Sequence, residues 1–319
     1  MIEHSKILQK IEPIIRDQWH ALFPGRQVAK KFIFRQERGF RKTLVFIYDY
    51  PAKTMLAVAH VVEDPKVETR LRNHYTILKT IHRSDDTAIT KTVPAPVHFS
   101  VEKRYLLLIQ TAVTGTVLNR KARTFLFFSR SSFEKYMHLT VDWLIKLHSV
   151  FRSDQQKIEE TKLAKIGNDL PWLREKYSAV KDYSLPLVLE HIDFAPRNLL
   201  FNNSSLSVID WEYSTLQGLP LWDLVHCLII AFRTVYSFSG TFSPFSFLKH
   251  LRSHHVKKLL FSDTYYSGVI KELIRKYCQK MKITPEVGDL LLFTKIVDFI
   301  TVNNLTLDIT EDVPANYLV

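Results

Sequence analysis

The sequence contains few cysteines and no long hydrophobic segment. Its two cysteines, Cys227 and Cys278, have no spacing typical of a metal or redox site, so we expect both to be buried or incidental thiols. No apolar run is long enough to cross a bilayer, and the N-terminus MIEHSKILQK lacks the hydrophobic region and the cleavage site of a signal peptide. We therefore expect a soluble cytoplasmic protein without a membrane span.

The length and charge of the chain limit the classes of protein to consider. A chain of 319 residues, 46% hydrophobic and 24% charged, is long enough for one large domain or two lobes. Its formal charge of +12 is compatible with nucleic acid, acidic lipid or an anionic small substrate. Because no recognised nucleic-acid module surrounds the densest basic segment, residues 249–258, we expect no nucleic-acid partner.

The first third of the chain has the pattern of a small antiparallel sheet. After a helical lead-in over residues 1–30, three runs of β-branched and aromatic residues between 32 and 62 predict a three-stranded meander. Residues 65–82 place apolar side chains at helical spacing, with His74 in the same stripe, which predicts an amphipathic helix. Two further strands are predicted before Gly115.

After about residue 120 the pattern becomes mainly helical. The helical periodicity is interrupted only by the short apolar segments within residues 187–214, and residues 151–185 mix polar and helical segments. We therefore predict an α+β protein with two lobes. The N-terminal lobe, residues 1–113, has an antiparallel sheet plus one helix, and the C-terminal lobe, residues 114–319, is large and mainly helical.

The segment LVLEHIDFAPRNLLFNNSSLSVIDWEYS carries the candidate chemistry. It has the form HxDxxxxN, followed by a second aspartate that ends an apolar run. Each half alone is a weak signal, but together they describe a phosphoryl-transfer site, which needs positioning and charge neutralisation more than covalent chemistry. Asp193 would accept or orient the proton of the attacking hydroxyl, and Asn198 and Asp210 would bind Mg2+ through oxygen. His191 is predicted to support the loop structurally.

These motifs resemble those of the aminoglycoside phosphotransferase and choline kinase superfamily. HIDFAPRNLLF is similar to its catalytic loop, VIDWEYS to its second acidic motif, and LIKLHS and GLPLWDLVH to its flanking helices. The resemblance implies a bilobal, protein-kinase-like fold with ATP between a nucleotide-binding N-terminal lobe and a catalytic and acceptor-binding C-terminal lobe. It also implies that Asp223 ties the catalytic loop to its lobe.

The small lobe departs from this pattern at two positions. Where kinases carry a lysine on the third strand and a glutamate on the following helix, the aligned residues here are His60 and His74. A histidine is mostly uncharged at neutral pH and shorter than lysine, so the phosphate contact should weaken. Three interpretations are open: the histidines share a hydrogen bond and a proton, Lys42 or Lys53 supplies the cation, or the lobe no longer binds ATP productively.

The resemblance also implies a set of nucleotide-binding residues. The segment where a glycine-rich loop is expected offers only one glycine, and the last strand of the lobe leads into a short hinge. The candidate nucleotide-binding residues are Gly39, Lys42, His60, His74, Thr111 and Val113.

The expected activity is ATP- and Mg2+-dependent transfer of a phosphoryl group to a hydroxyl of a small metabolite, such as a sugar, amino sugar or amino alcohol. The aromatic and polar segment 236–247 and the basic segment after it favour a neutral or anionic acceptor. The alternative is a pseudokinase-like ligand-binding or regulatory protein, because both histidine replacements affect the nucleotide side.

Overall fold

The computed structural model divides the chain into two compact units. Unit 1 contains Met1–Thr114 together with Ser207–Tyr213, and unit 2 contains Gly115–Leu206 and Ser214–Val319. A short segment from far along the chain is therefore part of the N-terminal unit. The structure describes residues 4–22, 31–38, 42–50, 54–102, 104–117, 130–202, 204–238, 264–302 and 317–318.

Unit 1 contains a five-stranded antiparallel sheet with the order β1-β2-β3-β5-β4. The first three strands form the predicted meander, and β4 and β5 are the two further strands expected before Gly115. The strands are β1 (Lys31–Arg38), β2 (Lys42–Tyr50), β3 (Met55–Val62), β4 (Pro96–Val101) and β5 (Leu106–Thr111).

Helices cover both faces of this sheet. The helices α1 (His4–Asp17) and α2 (Trp19–Leu22) pack on one face, where Ile11, Ile15 and Trp19 join side chains of β2, β3 and β5 in a buried core. On the other face, α3 (Pro65–His82) packs through Val67 and Leu71 against Val62, Leu106 and Leu108. A short helix, α4 (Thr87–Thr90), follows α3. The order three strands, helix, two strands is therefore confirmed.

The start of α3 has a clear physical cause. The side chain of Asp64 accepts a hydrogen bond of 2.9 Å from the backbone N–H of Lys66, and Pro65 occupies the first turn. A capping carboxylate satisfies a free N–H group, and proline has no N–H to lose at this position. The helix is thereby fixed at the end of β3, which determines which side chains it presents to the sheet.

Unit 2 is mainly helical. Its last helix, Pro285–Val302, buries side chains on all sides, among them the polar Asp289 and Lys295, which is typical of a helix in the interior of a lobe. The helices are α5 (Arg130–Val150), α6 (Lys162–Asp169), α7 (Pro171–Val180), α8 (Trp222–Phe238), α9 (Tyr265–Met281) and α10 (Pro285–Val302). Together with the sheet of unit 1, they confirm the α+β class.

Two small sheets interrupt the helices of this unit. One has the order β10-β9-β6 and the other β11-β8-β7, and only the last two residues of β10 belong to unit 1. The strands are β6 (Thr116–Val117), β7 (Arg152–Lys157), β8 (Ser184–Glu190), β9 (Leu199–Asn202), β10 (Ser205–Val208) and β11 (Thr215–Gly218).

The strand β7 was not expected from the sequence, which predicted polar and helical segments there. Its residues RSDQQK show no alternation of apolar and polar side chains, and all but one are exposed. The strand forms because it pairs antiparallel with β8, from Arg152 opposite Val188 to Lys157 opposite Ser184. Backbone pairing along a sheet edge decides the structure here, and such pairing leaves no hydrophobic pattern in the sequence.

Two expectations from the composition concern membranes and thiols. In the ranges that the structure describes, no helix combines the length and hydrophobicity needed to cross a membrane. Cys227 and Cys278 are both buried free thiols, as predicted. Burial raises the pKa of Cys227 and, with the charge of Asp289, raises that of Cys278 to about 12, so neither is a reactive thiolate at neutral pH.

Candidate functional site

The loop from His191 to Asn198 connects β8 to β9 in unit 2. The adjoining side chains Leu189 and Leu199 are fully buried, so both ends of the loop are fixed in the core of the unit. A loop mounted on rigid strands holds polar side chains in defined positions.

Asp193 and Asn198 are in direct contact within this loop. The amide Nδ2 of Asn198 donates hydrogen bonds to the main-chain oxygen of Asp193 at 2.9 Å and to its carboxylate Oδ2 at 3.1 Å. The other carboxylate oxygen, Oδ1, forms an ion pair with the guanidinium of Arg197, whose side chain is half exposed. Because the amide nitrogen of Asn198 points to Asp193, its amide oxygen is the atom directed elsewhere and suited to a cation.

Asp223, in the first turn of α8, holds the start of the loop. Its carboxylate accepts hydrogen bonds from the backbone N–H groups of His191, at 2.6 Å, and of Ile192, at 2.9 Å. This contact confirms the predicted tie between loop and lobe. Burial opposes the charge of Asp223, but nearby His148 and His191 outweigh it and hold its pKa below the usual range. The ring of His191 is fully buried and lies edge-on to Phe194, with centroids 5.9 Å apart.

A second layer of buried polar groups supports Asp223. The hydroxyl of Tyr277 accepts a hydrogen bond of 3.0 Å from the N–H of Leu221 and lies 2.5 Å from Nδ1 of His148. The opposite ring nitrogen of His148, Nε2, is 3.8 Å from the carboxylate of Asp223. The hydroxyl proton of Tyr277 is therefore best placed on the bond to Nδ1, which leaves the proton of His148 on the side of Asp223. Sequence reasoning missed this role of Tyr277, which is 54 residues beyond Asp223 and has no local signal.

His226 of α8 lies beside Asp193, and Lys295 of α10 lies beside Trp222 of α8. Nε2 of His226 is 3.8 Å from Oδ1 of Asp193. Burial, assisted by the charge of Lys295, lowers the pKa of His226 to about 4, so its ring is neutral at pH 7. The ammonium of Lys295 is almost fully buried, pairs with Asp298 at 3.0 Å and lies 4.7 Å from the ring centroid of Trp222. No local sequence pattern predicts a role for either residue.

Asp210 belongs to the segment of unit 1 formed by residues 207–213. Its backbone is left-handed, with φ of 69°, a conformation that aspartate tolerates better than most residues. Helix α3 fastens this segment: Asn73 donates a hydrogen bond of 3.2 Å to the main-chain oxygen of Glu212, and Arg70 donates one of 2.6 Å to the hydroxyl of Tyr213. Asp210 is therefore presented by unit 1.

Lys42 on β2 contacts the two acidic side chains of this segment. Its ammonium is 2.9 Å from Oε2 of Glu212 and 3.7 Å from Oδ1 of Asp210. Burial alone would lower the pKa of Lys42, but the charge of Asp210 and the hydrogen bond and charge of Glu212 outweigh it and raise that pKa. Lys42 is therefore a permanent positive charge beside a proposed magnesium ligand.

His60 and His74 lie side by side, on β3 and α3. Their ring centroids are 5.2 Å apart and the planes meet at 80°. Neither ring nitrogen of His60 has a hydrogen-bond partner among the described residues, so the two rings share no hydrogen bond and the first interpretation above is wrong in that respect. Burial, assisted by the charge of Lys42, lowers the pKa of His60 to about 3. His60 is therefore uncharged at neutral pH.

Thr111 and Val113, which were also predicted to bind the nucleotide, belong to unit 1. The hydroxyl of Thr111 accepts a hydrogen bond of 2.8 Å from the N–H of Ala95, and the N–H of Thr111 donates one of 2.9 Å to the oxygen of Ala95, so Thr111 fastens the start of β4. Val113 is half-buried near the end of the first part of unit 1. Gly39 and Lys53 lie outside the described residues.

Each unit, taken by itself, carries an oxygen donor of the kind that magnesium prefers. Mg2+ prefers hard oxygen ligands, keeps several waters and takes only one or two protein ligands. The amide oxygen of Asn198 and the carboxylate of Asp210 are donors of this kind, and the Asp210 side chain is about one-third exposed. Within the described ranges no group of three or more His, Cys, Asp or Glu side chains forms a cluster able to hold a metal ion.

Known proteins supply an independent comparison. Residues 91–242 match the model of the family described as "Phosphotransferase enzyme family". The aminoglycoside phosphotransferase APH(3'')-Id from Streptomyces rimosus aligns with 90% of this chain and 98% of its own, at 13% sequence identity and a TM-score of 0.45. No curated protein matches the chain significantly. The matched residues 91–242 contain the loop from His191 to Asn198, the second acidic motif and Asp223, and they make up just under half of the chain.

Proposed function

We propose that this chain is an ATP- and Mg2+-dependent phosphotransferase that transfers the γ-phosphoryl group to a hydroxyl of a small metabolite, such as a sugar, amino sugar or amino alcohol. The observation that carries the proposal is the contact between Asn198 and Asp193. It holds the carboxylate of Asp193 in place and leaves the amide oxygen of Asn198 for a cation. A folding role alone does not require this pairing of a base with a hard metal ligand.

Asp193 is proposed as the base. Its carboxylate is partly exposed, and its Oδ2 is oriented by Asn198. It accepts or orients the proton of the acceptor hydroxyl as the oxygen attacks phosphorus. His191 is proposed to have a structural role, because its ring is buried and its backbone N–H donates a hydrogen bond to Asp223, which together fix the loop.

Asn198 and Asp210 are the proposed magnesium ligands. When bound, Mg2+ neutralises charge on the β- and γ-phosphates. The protein contributes fixed donors: the side chain of Asn198 is oriented by two hydrogen bonds, and Asp210 lies in a segment that α3 fastens. The proposed nucleotide-binding residues of unit 1 are Lys42, His60, His74, Thr111 and Val113, with Gly39.

The described residues near Asp193 favour an acceptor without a strong positive charge. Arg197 pairs with Asp193, and Lys295 influences His226 from the side of α10. Lys295 itself is paired with Asp298. An ammonium group on the acceptor would meet the guanidinium of Arg197 beside Asp193, whereas a neutral or anionic group would not be repelled by it.

A pseudokinase-like binding protein is the second candidate. The observation that favours it is the uncharged state of His60 at the position where a lysine is expected. The two candidates differ in nucleotide binding, because a ligand that binds only the folded state raises the unfolding midpoint. An unchanged midpoint at millimolar Mg-ATP favours the second candidate.

The test of the enzyme is phosphoryl transfer to a panel of alcohols, comparing the parent with Asp193→Asn and Asp210→Asn. We expect each variant to lose activity by about 100-fold or more, the size typical of a lost base or charge-stabilising group. Asp182→Asn, at an exposed position, is the matched control and should retain the parent rate. Parent-like rates in both site variants would show that the assigned site is wrong.

A further inference from the structure

The register of the sheet places Lys42 beside His60. In the antiparallel pair of β2 and β3, Leu44 is opposite His60 and Lys42 is opposite Val62. Opposite residues share one face of a sheet, as do residues two apart along a strand. Lys42 and His60 are therefore diagonal neighbours on the face that α3 covers, where Val62 packs.

Lys42 is well placed to supply the charge that His60 lacks. In the sequences of β2, β3 and β5 it is the only lysine or arginine. Its ammonium is 3.7 Å from the carboxylate of Asp210, and the Lys42 side chain is 21% exposed, so it remains accessible to a ligand. One strand thus carries a cation beside a group proposed to bind magnesium.

Glu212 is the carboxylate that holds this lysine. Its side chain is 11% exposed, and its Oε2 is 2.9 Å from the ammonium of Lys42. The main-chain oxygen of Glu212 accepts a hydrogen bond from Asn73 of α3, so the position of Glu212 is fixed by that helix. The lysine and its anchoring acid come from β2 and from the segment of residues 207–213, whereas the kinase pattern takes them from the third strand and α3.

We propose that Lys42 is the phosphate-binding cation of this chain and that Glu212 is the residue that positions it, in place of a pair formed by positions 60 and 74. His60 and His74 then fill the space between sheet and α3 without touching phosphate. The inference rests on the proposed use of ATP and selects the second of the three interpretations of the small lobe. It gives Glu212, two residues beyond Asp210, a role that no motif assigns to it.

The first test measures binding, independently of turnover. Isothermal titration with Mg-ATP and with adenosine compares the parent, Lys42→Met, Lys42→Arg and Lys91→Met, the last at an exposed position. We expect Lys42→Met to weaken ATP binding by about tenfold or more, as for a lost charge-assisted hydrogen bond, and to leave adenosine binding unchanged. Lys42→Arg should retain much of the ATP affinity, and Lys91→Met all of it.

The second test examines the coupling of Lys42 and Glu212. Glu212→Gln keeps the size of the side chain and removes its charge, so ATP should bind several-fold more weakly while adenosine binding is unchanged. In the double variant Lys42→Met/Glu212→Gln, the second change should add no further loss, because its effect passes through Lys42. Lys42→Met alone leaves the carboxylate of Glu212 buried and unpaired, and the double variant avoids this. If the single variant does not fold, the double variant is used in its place to measure ATP binding without Lys42.

The outcomes separate this inference from the proposed function. Equal ATP affinity in the parent, Lys42→Met and the double variant would overturn the role of Lys42 and leave ATP binding intact. Independent, additive losses at the two positions would overturn the positioning role of Glu212. A parent that binds neither ATP nor adenosine would overturn the proposed function, and the inference with it.

Discussion

The ring of His60 lies edge-on to the ring of His74, with centroids 5.2 Å apart. Because His60 is buried and Lys42 is its neighbour, a lysine at position 60 would place a second positive charge in an apolar site. We expect His60→Lys to lower the free energy of unfolding by about 2 kcal/mol or more and to leave ATP affinity unchanged or weaker. Urea unfolding and ATP titration measure the two effects.

The matched control for this prediction is His98→Lys, at a half-buried position of β4 in the same sheet. It should change stability and ATP affinity less than His60→Lys. Tighter ATP binding by His60→Lys with unchanged stability would mean that position 60 is still the phosphate site and that Lys42 has not taken it over.

Local patterns were enough to predict most of unit 1 and the polar loop from His191 to Asn198. The strands and α3 carry clear hydrophobic periodicity, and Asp193 and Asn198 lie within one loop, so their proximity follows from sequence distance alone. The pairing of Lys42 with Glu212 joins residues 170 positions apart. Nothing local predicts such a contact, because it depends on how residues 207–213 pack on unit 1.

Local sequence patterns also fail to predict two contacts of unit 2, the one between His148 and Tyr277 and the pairing of β7 with β8. His148 lies in a recognised helix motif, but its partner Tyr277 comes from α9. The strand β7 has exposed polar residues and exists through backbone pairing with β8. Hydrophobic periodicity reports burial of a face, so it does not reveal contacts made by backbone groups or by single buried polar side chains.

Glu190, at the end of β8, should make stability depend on pH. Burial, with the charge of Asp223, raises its pKa from 4.5 to about 7. Between these values the folded state keeps a proton that the unfolded state has lost, so stability falls as the pH rises from 4.5 to 7 and the full cost remains above 7. Glu190→Gln should remove this pH-dependent cost. We expect it to raise the free energy of unfolding, relative to the parent, by roughly a few kcal/mol more at pH 8 than at pH 5.

Glu160→Gln, at an exposed position, is the control and should follow the parent at both pH values. The quantity to compare is the difference between variant and parent at each pH, because other groups titrate in the same range. If Glu190→Gln stabilises the chain no more at pH 8 than at pH 5, Glu190 is ionised at both and its pKa is not raised.

Ile192 has a left-handed backbone, with φ of 68°, which is strained for a β-branched residue. Its N–H must reach the carboxylate of Asp223, so the loop keeps this conformation. The side chain is 37% exposed, so shortening it loses limited burial. We expect Ile192→Gly to be more stable than Ile192→Ala by about 1 kcal/mol, because only glycine adopts positive φ without steric cost.

Ile192→Ala is the internal comparison for that prediction, since both variants remove the branched side chain and only alanine keeps a Cβ atom. Elsewhere, alanine normally exceeds glycine in stability, so the sign of the difference is diagnostic. Thermal unfolding of the two variants measures this difference in stability. An alanine variant more stable than the glycine variant would mean that the loop does not hold position 192 at positive φ.

Gly218, just before the turn into α8, lies against Glu190 on the neighbouring strand. A Cβ atom at position 218 would be 2.0 Å from Cβ of Glu190 and 3.1 Å from its Cα, and neither atom can move without shifting β8. Because the loop that carries the proposed base Asp193 begins directly after Glu190, we expect Gly218→Ala to destabilise the chain by about 3 kcal/mol or more and to reduce turnover.

Gly268→Ala is the matched control for Gly218→Ala. Gly268 lies in α9, and a Cβ atom there would meet nothing within 4 Å. Alanine has the higher helix propensity, so this variant should gain about 0.5–1 kcal/mol and keep its turnover. Chemical unfolding of both variants measures the contrast. A Gly218→Ala chain as stable as the parent would mean that β11 and β8 lie farther apart at this point than the Cβ contact requires, and that close backbone approach does not hold the start of the loop from His191 to Asn198.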